Sequence, residues 1–308
     1  MDKNSIIVLT GPTGIGKTEV SLELFKLIDR VEVVSVDSMA VYKGMDIGTS
    51  KPRKDIQAKI PHHMIDIVDY SQSFDAAEYV SRASEVITQV ISRGNIPFIV
   101  GGSVMYLYSL LDGIFKGPSC NHEIRERLIK RSEDEGLEKL YGELKELDSE
   151  AAAKIHQNDL RRIVRALEVY YLTGERISAL KTKREGISSK YEISIYALCD
   201  KRLRIYRRID QRVDGMISRG LVDEVCGLMD RISLTAYQGA GYKEIIGHIN
   251  GEYGLDEAIR LIKRNSRRFA KRQLSWLRRD QRIKWINLSD FDSSFSIADF
   301  IFNDLKNR

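Results

Sequence analysis

The stretch Gly11-Pro-Thr-Gly-Ile-Gly-Lys-Thr18, GPTGIGKT, sits between the apolar run Ser5-Ile-Ile-Val-Leu-Thr10 and the helix-period segment Lys17 to Ile28, KTEVSLELFKLI. Strand, glycine-rich loop and helix in that order form the setting in which the pattern GxxxxGK[ST] holds phosphate. Glycines let successive backbone N–H groups converge on phosphate oxygens, and the helix N-terminus adds its dipole. Lys17 contributes a mobile cation, and the Thr18 hydroxyl is placed to coordinate Mg²⁺. Gly11, Pro12, Thr13, Gly14, Ile15, Gly16, Lys17 and Thr18 are therefore expected to bind phosphate. The loop does not disclose whether that phosphate belongs to a nucleotide.

Outward from this loop, Val31 to Val36 reads as a second strand ending at Asp37-Ser38, and Ile96 to Val100 as a third ending at Gly101-Gly-Ser103. Asp75 to Arg93 reads as a helix between them, with its stop at Gly94. Alternating strands and helices predict an α/β fold with a P-loop NTPase-like parallel sheet core and helices on both faces, its functional loops at the carboxyl ends of the strands. From Gly117-Pro118 the texture becomes charged and helix-periodic, predicting helices over Asn121 to Asp134, Gly136 to Lys145, Ser149 to His156 and Asp159 to Thr173. Residues 118–190 are thus expected to form a helical insertion domain, closed by the polar run Lys181 to Lys190, within a core of residues 1–117 and 191–308. Strand character returns at Tyr191 to Cys199. A long basic helix from Leu255 to Arg279 follows, then a short strand around Ile283 to Leu288. No internal repeat or low-complexity tract interrupts the pattern.

With 43% hydrophobic and 30% charged residues over 308 positions, the composition is that of a chain able to bury a core without help. Cys120, Cys199 and Cys226 are far apart and show no CxxC spacing, which argues against a disulfide framework or a zinc site and fits a cytoplasmic protein. Met1-Asp2-Lys3-Asn4 leads straight into a strand with no leader-like pattern, and no apolar stretch approaches the roughly 18 residues of a membrane span. Charge is regional. Residues 1–120 carry 12 basic and 14 acidic side chains, while residues 201–282 carry 19 and 10, a positive surplus that favours phosphate-rich partners unless it is merely a solvated face.

The run Asp37-Ser-Met-Ala-Val-Tyr-Lys-Gly-Met-Asp-Ile-Gly-Thr-Ser-Lys-Pro52 follows the second strand, so Asp37 is expected to face the phosphate loop across the sheet edge. There a carboxylate could hold metal, position an acceptor or take its proton, or simply cap the following turn. No Asn-Lys-x-Asp run supports guanine recognition. His62-His63 is a weak metal-ligand set without further His or Cys nearby, and a structural role is expected.

GPTGIGKT, VSVDSMAVYKGMDIGTSKP, PHHMIDIVD (Pro61 to Asp69), IPFIVGGSVMYL (Ile96 to Leu107), IHQNDLRRIVRALEVY (Ile155 to Tyr170) and GAGYKEI (Gly239 to Ile245) occur in this order. Together they resemble the bacterial tRNA dimethylallyltransferases, also called tRNA isopentenyltransferases, over nearly the whole chain. The resemblance implies transfer of a dimethylallyl group from dimethylallyl diphosphate to the exocyclic amine of the adenosine 3′ of the tRNA anticodon. It also implies Mg²⁺ as cofactor and an insertion that grips the anticodon stem-loop. By the same resemblance Asp37 is the general base, and Ser103 stands where the family has threonine, keeping the hydroxyl but losing the methyl that restricts its rotamer. Lys17 and Arg212 are expected to stabilise the leaving diphosphate, to which a permanently charged guanidinium fork is suited.

The segments matching the family's tRNA contacts are Asp37, Ser38, Met39 and Ala40; Ser103; Arg125; Arg161, Arg162, Ile163, Val164 and Arg165; and Gln238, Gly239, Ala240, Gly241, Tyr242 and Lys243. Asp159 looks like a helix N-cap, which puts three arginines where the dipole disfavours cations unless an outside anion compensates. Tyr242 is expected either to stack on a base or to pack. On the basic helix, Ile259, Ile262, Phe269, Leu274 and Leu277 are expected to form a core stripe, with the rest a bed for the RNA backbone. The zinc finger of the family's eukaryotic members is lacking. The expected partners are tRNA and dimethylallyl diphosphate but no membrane, with the chain acting as a monomer. The competing readings are a P-loop kinase of a nucleoside or small metabolite, with Asp37 as base, and a non-catalytic RNA-binding switch.

Overall fold

The computed structural model describes residues 5–115, 117–118, 120–181 and 184–307. Met1 to Asn4, and Thr182 and Lys183 of the polar run, lie outside the described residues. Six strands form one wholly parallel sheet: β1 (Ser5–Thr10), β2 (Val31–Val36), β3 (His62–His63), β4 (Ile96–Gly101), β5 (Glu192–Cys199) and β6 (Ile283–Asn287), in the order β3-β2-β4-β1-β5-β6. Because every strand is parallel, the ends of β1, β2 and β4 share one edge, and the loops after them meet there.

Alternation along β1 sends Ile6 and Val8 into one hydrophobic cluster with Val34, Ile99 and Ala197, and Ile7 and Leu9 into another with Phe98, Tyr196 and Leu198. A sheet buried on both faces explains why these strands read as continuous apolar runs. The helix Ala76–Ser92 is capped by Asp75, whose side chain accepts from the amides of Ala77 and Glu78. The first helix runs Lys17–Leu24, four residues short of the expected end, because its last turn tightens to i,i+3 bonds from Lys26 to Glu23 and from Leu27 to Leu24.

Sequence periodicity gave no warning of β3. His62 and His63 pair with Val33 and Val34 at the sheet edge, and the His63 ring bonds Glu32 at 2.6 Å, with Arg93 and Asn95 completing the shell of that buried carboxylate. The histidine pair therefore closes the sheet edge.

The chain divides into two compact units, residues 1–111 with 187–308, and residues 112–186. The division falls at 112 and 186, where the change of texture had suggested 118 and 190. Gly113 explains the difference, since a Cβ there would stand 2.6 Å from the Glu185 carbonyl, so the two ends of the insertion already pack on each other. Within the insertion, the helices His122–Asp134, Leu137–Leu147, Ser149–Lys154, Leu160–Thr173 and Ile177–Lys181 enclose Leu128, Leu140, Leu144, Ile163 and Leu167. Among the described residues, no helix is long and apolar enough to cross a membrane.

Candidate active site

A cavity of about 1290 Å³ opens at the carboxyl ends of β1, β2 and β4. Lys17, Thr18, Asp37, Ser103, Arg212 and the segment Gln238 to Ala240 all border it. The phosphate loop supplies its floor. Gly16 precedes the helix at φ 102°, a left-handed conformation open to glycine, and among the described residues no side chain caps the helix, so its first amides have no side-chain partner. Lys17 Nζ donates to the carbonyls of Gly11 and Pro12, each at 3.0 Å. Burial lowers its pKa to about 8, assisted by the positive charge of Arg212 and opposed by Asp37 and Glu19.

Arg212 reaches the loop from the helix Arg202–Ser218. Its Nη1 donates to Thr13 Oγ1 at 2.7 Å, while Nε and Nη2 hold Ser50 Oγ and the Thr49 carbonyl at 3.2 and 3.1 Å. Burial lowers its pKa, which Asp37 counteracts. The guanidinium thus joins the phosphate loop to the Asp46–Lys51 segment. Arg208, one helical turn earlier, donates to the Ile15 carbonyl at 2.8 Å.

Asp37 combines the two roles open to it. Its Oδ1 accepts from the amides of Met39 and Ala40 at 2.8 and 3.2 Å, fixing the turn, and among the described residues Oδ2 takes no hydrogen bond. Ser103 Oγ accepts from the Ser38 amide at 2.9 Å and donates to Ser38 Oγ at 3.1 Å, so two bonds restrain the hydroxyl in place of the absent methyl. The Thr18 hydroxyl is exposed at the cavity and takes no hydrogen bond among the described residues.

Gln273 is central and was missed by sequence reasoning. Buried to 3% exposure on the basic helix Leu255–Leu277, it accepts from the Thr13 amide at 2.9 Å and donates to the Gly102 carbonyl at 2.6 Å. One amide therefore spans the phosphate loop and the Gly101-Gly-Ser103 turn. The expected core stripe of this helix holds at Ile262 and Leu277, which are buried, and at Ile259 and Leu274, which pack half-buried against the core, but not at Phe269. Ala258, Ile262, Ser266, Ala270, Gln273 and Leu277 face inward, whereas Phe269 is 39% exposed and borders the cavity. Arg268, Lys271, Arg272, Arg278 and Arg279 lie on the exposed side.

Of the two roles left open for Tyr242, it takes packing. Its ring is fully buried and its phenol donates to Glu224 at 2.6 Å. Gln238 and Ala240 are exposed, Gly239 and Gly241 are buried, and Lys243 is half-buried beside Glu244.

Arg125, Arg161, Arg162, Ile163, Val164 and Arg165 belong to the insertion. Asp159 caps their helix by accepting from the Arg162 amide. Arg161 and Arg162 are exposed, whereas Ile163 and Val164 are core residues. Arg125 grips Glu168 with two bonds of 2.9 and 3.0 Å, and Arg165 bonds the same carboxylate at 2.6 Å. Glu168 is fully buried, so it neutralises and orders both arginines, a part in the insertion that sequence reasoning missed.

A phosphate loop on a parallel sheet, with a carboxylate and two cations facing one cavity, defines a P-loop-type group-transfer enzyme. The model of the IPP transferase family matches residues 40–280, and the chain belongs to that family. The match begins beyond the phosphate loop and Asp37, but relatives that match over 99% of this chain span both. The tRNA dimethylallyltransferase of Halothermothrix orenii is 44% identical over 295 residues, 94% of this chain and 90% of that one. Its namesake from Desulforamulus reducens is 45% identical over 276 residues, 89% and 98% of the two chains. Among solved structures, the full-length tRNA isopentenylpyrophosphate transferase of Bacillus halodurans matches with TM-score 0.69 and 35% identity, over 99% of this chain and all of that one. A eukaryotic dimethylallyltransferase acting on tRNA matches with TM-score 0.83 and 29% identity, over 99% and 80%.

Proposed function

We propose that this protein transfers a dimethylallyl group from dimethylallyl diphosphate to the exocyclic N6 amine of the adenosine 3′ of the anticodon in tRNA, releasing diphosphate. The observation that carries this reading is Asp37 with one unengaged carboxylate oxygen, bordering the same cavity as Lys17 and Arg212. That pairing suits a reaction in which a proton leaves the acceptor and negative charge builds on the leaving group.

In the proposed reaction the C–O bond between the allylic carbon and the diphosphate breaks and an N–C bond to the amine forms. The amine is a poor nucleophile because its lone pair is delocalised into the purine. Asp37 Oδ2 accepts a hydrogen bond from it and takes the proton as the new bond forms. Ser38 and Ser103 hold the acceptor side of the cavity, and Lys17, Arg212 and the free amides at the helix N-terminus stabilise the departing charge. The purine reaches Asp37 by leaving its stack, since the amine is inaccessible within it.

The donor set fits a magnesium ion, with one exposed hydroxyl from Thr18 and remaining sites open to phosphate oxygens and water, as Mg²⁺ prefers. When bound, the ion neutralises diphosphate charge. The basic helix face and the insertion, with Arg125, Arg161, Arg162 and Arg165, serve tRNA, the half-buried pair set in place by Glu168 and the exposed pair projecting from the first turn. The segments Asp37 to Ala40 and Gln238 to Lys243 approach the anticodon loop. Ala40 and Tyr242 in those segments, like Ile163 and Val164 within the insertion, act by packing, because their side chains are buried.

The test is to incubate the protein with Mg²⁺, unmodified tRNA and either dimethylallyl diphosphate or γ-labelled ATP, then digest the RNA for nucleoside mass analysis. Prenylated adenosine supports the reading. Its absence, with the ATP γ-phosphate transferred instead, would identify a kinase.

A further inference from the structure

The segment Asp46–Lys51 has no regular structure, yet it supplies two of the three partners of Arg212. What holds it is Glu224, on the helix Leu221–Leu228. Glu224 Oε2 accepts from the amides of Asp46 and Ile47 at 2.9 and 2.6 Å, and Oε1 accepts from the Gly48 amide at 3.1 Å and the Tyr242 phenol at 2.6 Å. Four donors thus converge on one carboxylate. At Gly48 a Cβ would stand 2.5 Å from the Tyr242 ring, so only a bare backbone brings all three amides to the carboxylate. Burial first, then the charge of Glu224, raises the Tyr242 pKa well above the usual phenol range, which keeps its proton available to donate. Lys51 anchors the far end through Asp46 and Asp66 at 2.8 and 2.6 Å.

We propose that Glu224 is a positioning residue for the transfer reaction: by gathering the amides of Asp46, Ile47 and Gly48 it fixes Thr49 and Ser50, which in turn aim Arg212 at the phosphate loop through Thr13. Glu224 does not border the cavity, so it acts through these residues. The same carboxylate ties Tyr242, at the start of the helix Tyr242–Ile249, to the diphosphate end of the site. The inference rests on the reading of Arg212 as a ligand of the donor diphosphate.

The test is a double-mutant cycle of Glu224→Gln and Arg212→Ala, read as kcat/KM for dimethylallyl diphosphate at saturating tRNA, together with tRNA affinity. Glutamine matches glutamate in shape but turns an NH₂ donor toward backbone donors, leaving amides unpaired. Losing charge-assisted bonds of this kind should lower donor kcat/KM about ten- to a hundredfold in the otherwise wild-type protein. tRNA affinity should stay within about twofold, and in the Arg212→Ala background the same change should cost little more.

Equal losses in both backgrounds would overturn the inference, because Glu224 would then act independently of Arg212. So would an unimpaired Glu224→Gln protein beside an impaired Arg212→Ala one. If Arg212→Ala itself leaves the donor unaffected, the diphosphate assignment of Arg212 falls, and this inference with it. Ser50→Ala, at an exposed position that should not disturb folding, gives the same cycle independently. A several-fold donor-specific loss that vanishes without Arg212 is expected, and additivity with Arg212→Ala would contradict the chain from Glu224 to the loop.

Discussion

Raising the pH past 8 is expected to weaken diphosphate binding by discharging Lys17. Among the described residues its ammonium is satisfied only by the carbonyls of Gly11 and Pro12, and burial, reinforced by Arg212, brings its pKa down to about 8. A bound diphosphate favours the charged lysine, so binding must take up a proton wherever the free protein has lost it. With a pKa of about 8, roughly nine lysines in ten are charged at pH 7 and one in ten at pH 9. Affinity should therefore fall about tenfold over that interval, equivalent to about 1.4 kcal/mol. Diphosphate also titrates, so the comparison is with Lys17→Arg, whose guanidinium stays charged throughout. Calorimetry with inorganic diphosphate at pH 7, 8 and 9, in two buffers of different protonation enthalpy, reads both affinity and proton uptake. The wild-type protein should lose about tenfold more affinity than the variant and take up nearly one additional proton at pH 9. Parallel affinity curves with equal proton uptake would refute the reasoning.

Asp37→Ala should abolish prenyl transfer while tRNA binding, measured by filter retention, stays close to wild type; unchanged turnover would remove Asp37 from the mechanism. Gln273→Ala deletes the bridge between the Thr13 amide and the Gly102 carbonyl, so it should cost about 1–3 kcal/mol of stability in denaturant titration and lower kcat as the two loops drift apart. Glu168→Ala leaves Arg125 and Arg165 without their shared carboxylate and should destabilise the protein by about 1–3 kcal/mol, below the roughly 3–5 kcal/mol of a fully buried pair because both arginines are partly solvated. It should also weaken tRNA binding with less effect on the donor KM. Glu32 has its carboxyl pKa held at about 2, the cost of burial being outweighed by bonds from Arg93, Asn95 and His63. Its depressed folded-state pKa makes its stabilisation complete above the ordinary value of 4.5 and progressively lost as the pH falls toward 2, and acid unfolding of Glu32→Gln should be correspondingly shallower there.

Most of the sheet was legible because a parallel sheet covered on both faces demands apolar runs, and β1, β2, β4 and β5 carry them between punctuating glycines and aspartates. Asp159 announced its helix because an N-cap is a local event, and the structure shows Asp75 and Asn121 capping theirs in the same way. What escaped depends on contacts between segments distant in sequence. Pairing with Val33 and Val34 makes β3 a strand, and two histidines carry no period of their own. Gln273 carried a signal that the apolar stripe obscured. It falls four residues before Leu277 and three after Ala270 on the buried face, and a polar residue in that register must have a buried partner. Glu168 carried the same kind of signal between Leu167 and Val169. Glu224 carried none, since an acid in the first turn of a helix is ordinary and its ligands are amides about 180 positions away.

The central claim is that the phosphate loop holds the diphosphate of a prenyl donor. It is tested most directly by measuring, in one reaction with unmodified tRNA, Mg²⁺, dimethylallyl diphosphate and ATP, the diphosphate released, the prenyl groups incorporated and the ATP consumed. One diphosphate released per prenylated adenosine, with ATP untouched, is the expected result. ATP consumption with no prenyl group entering the RNA would contradict it.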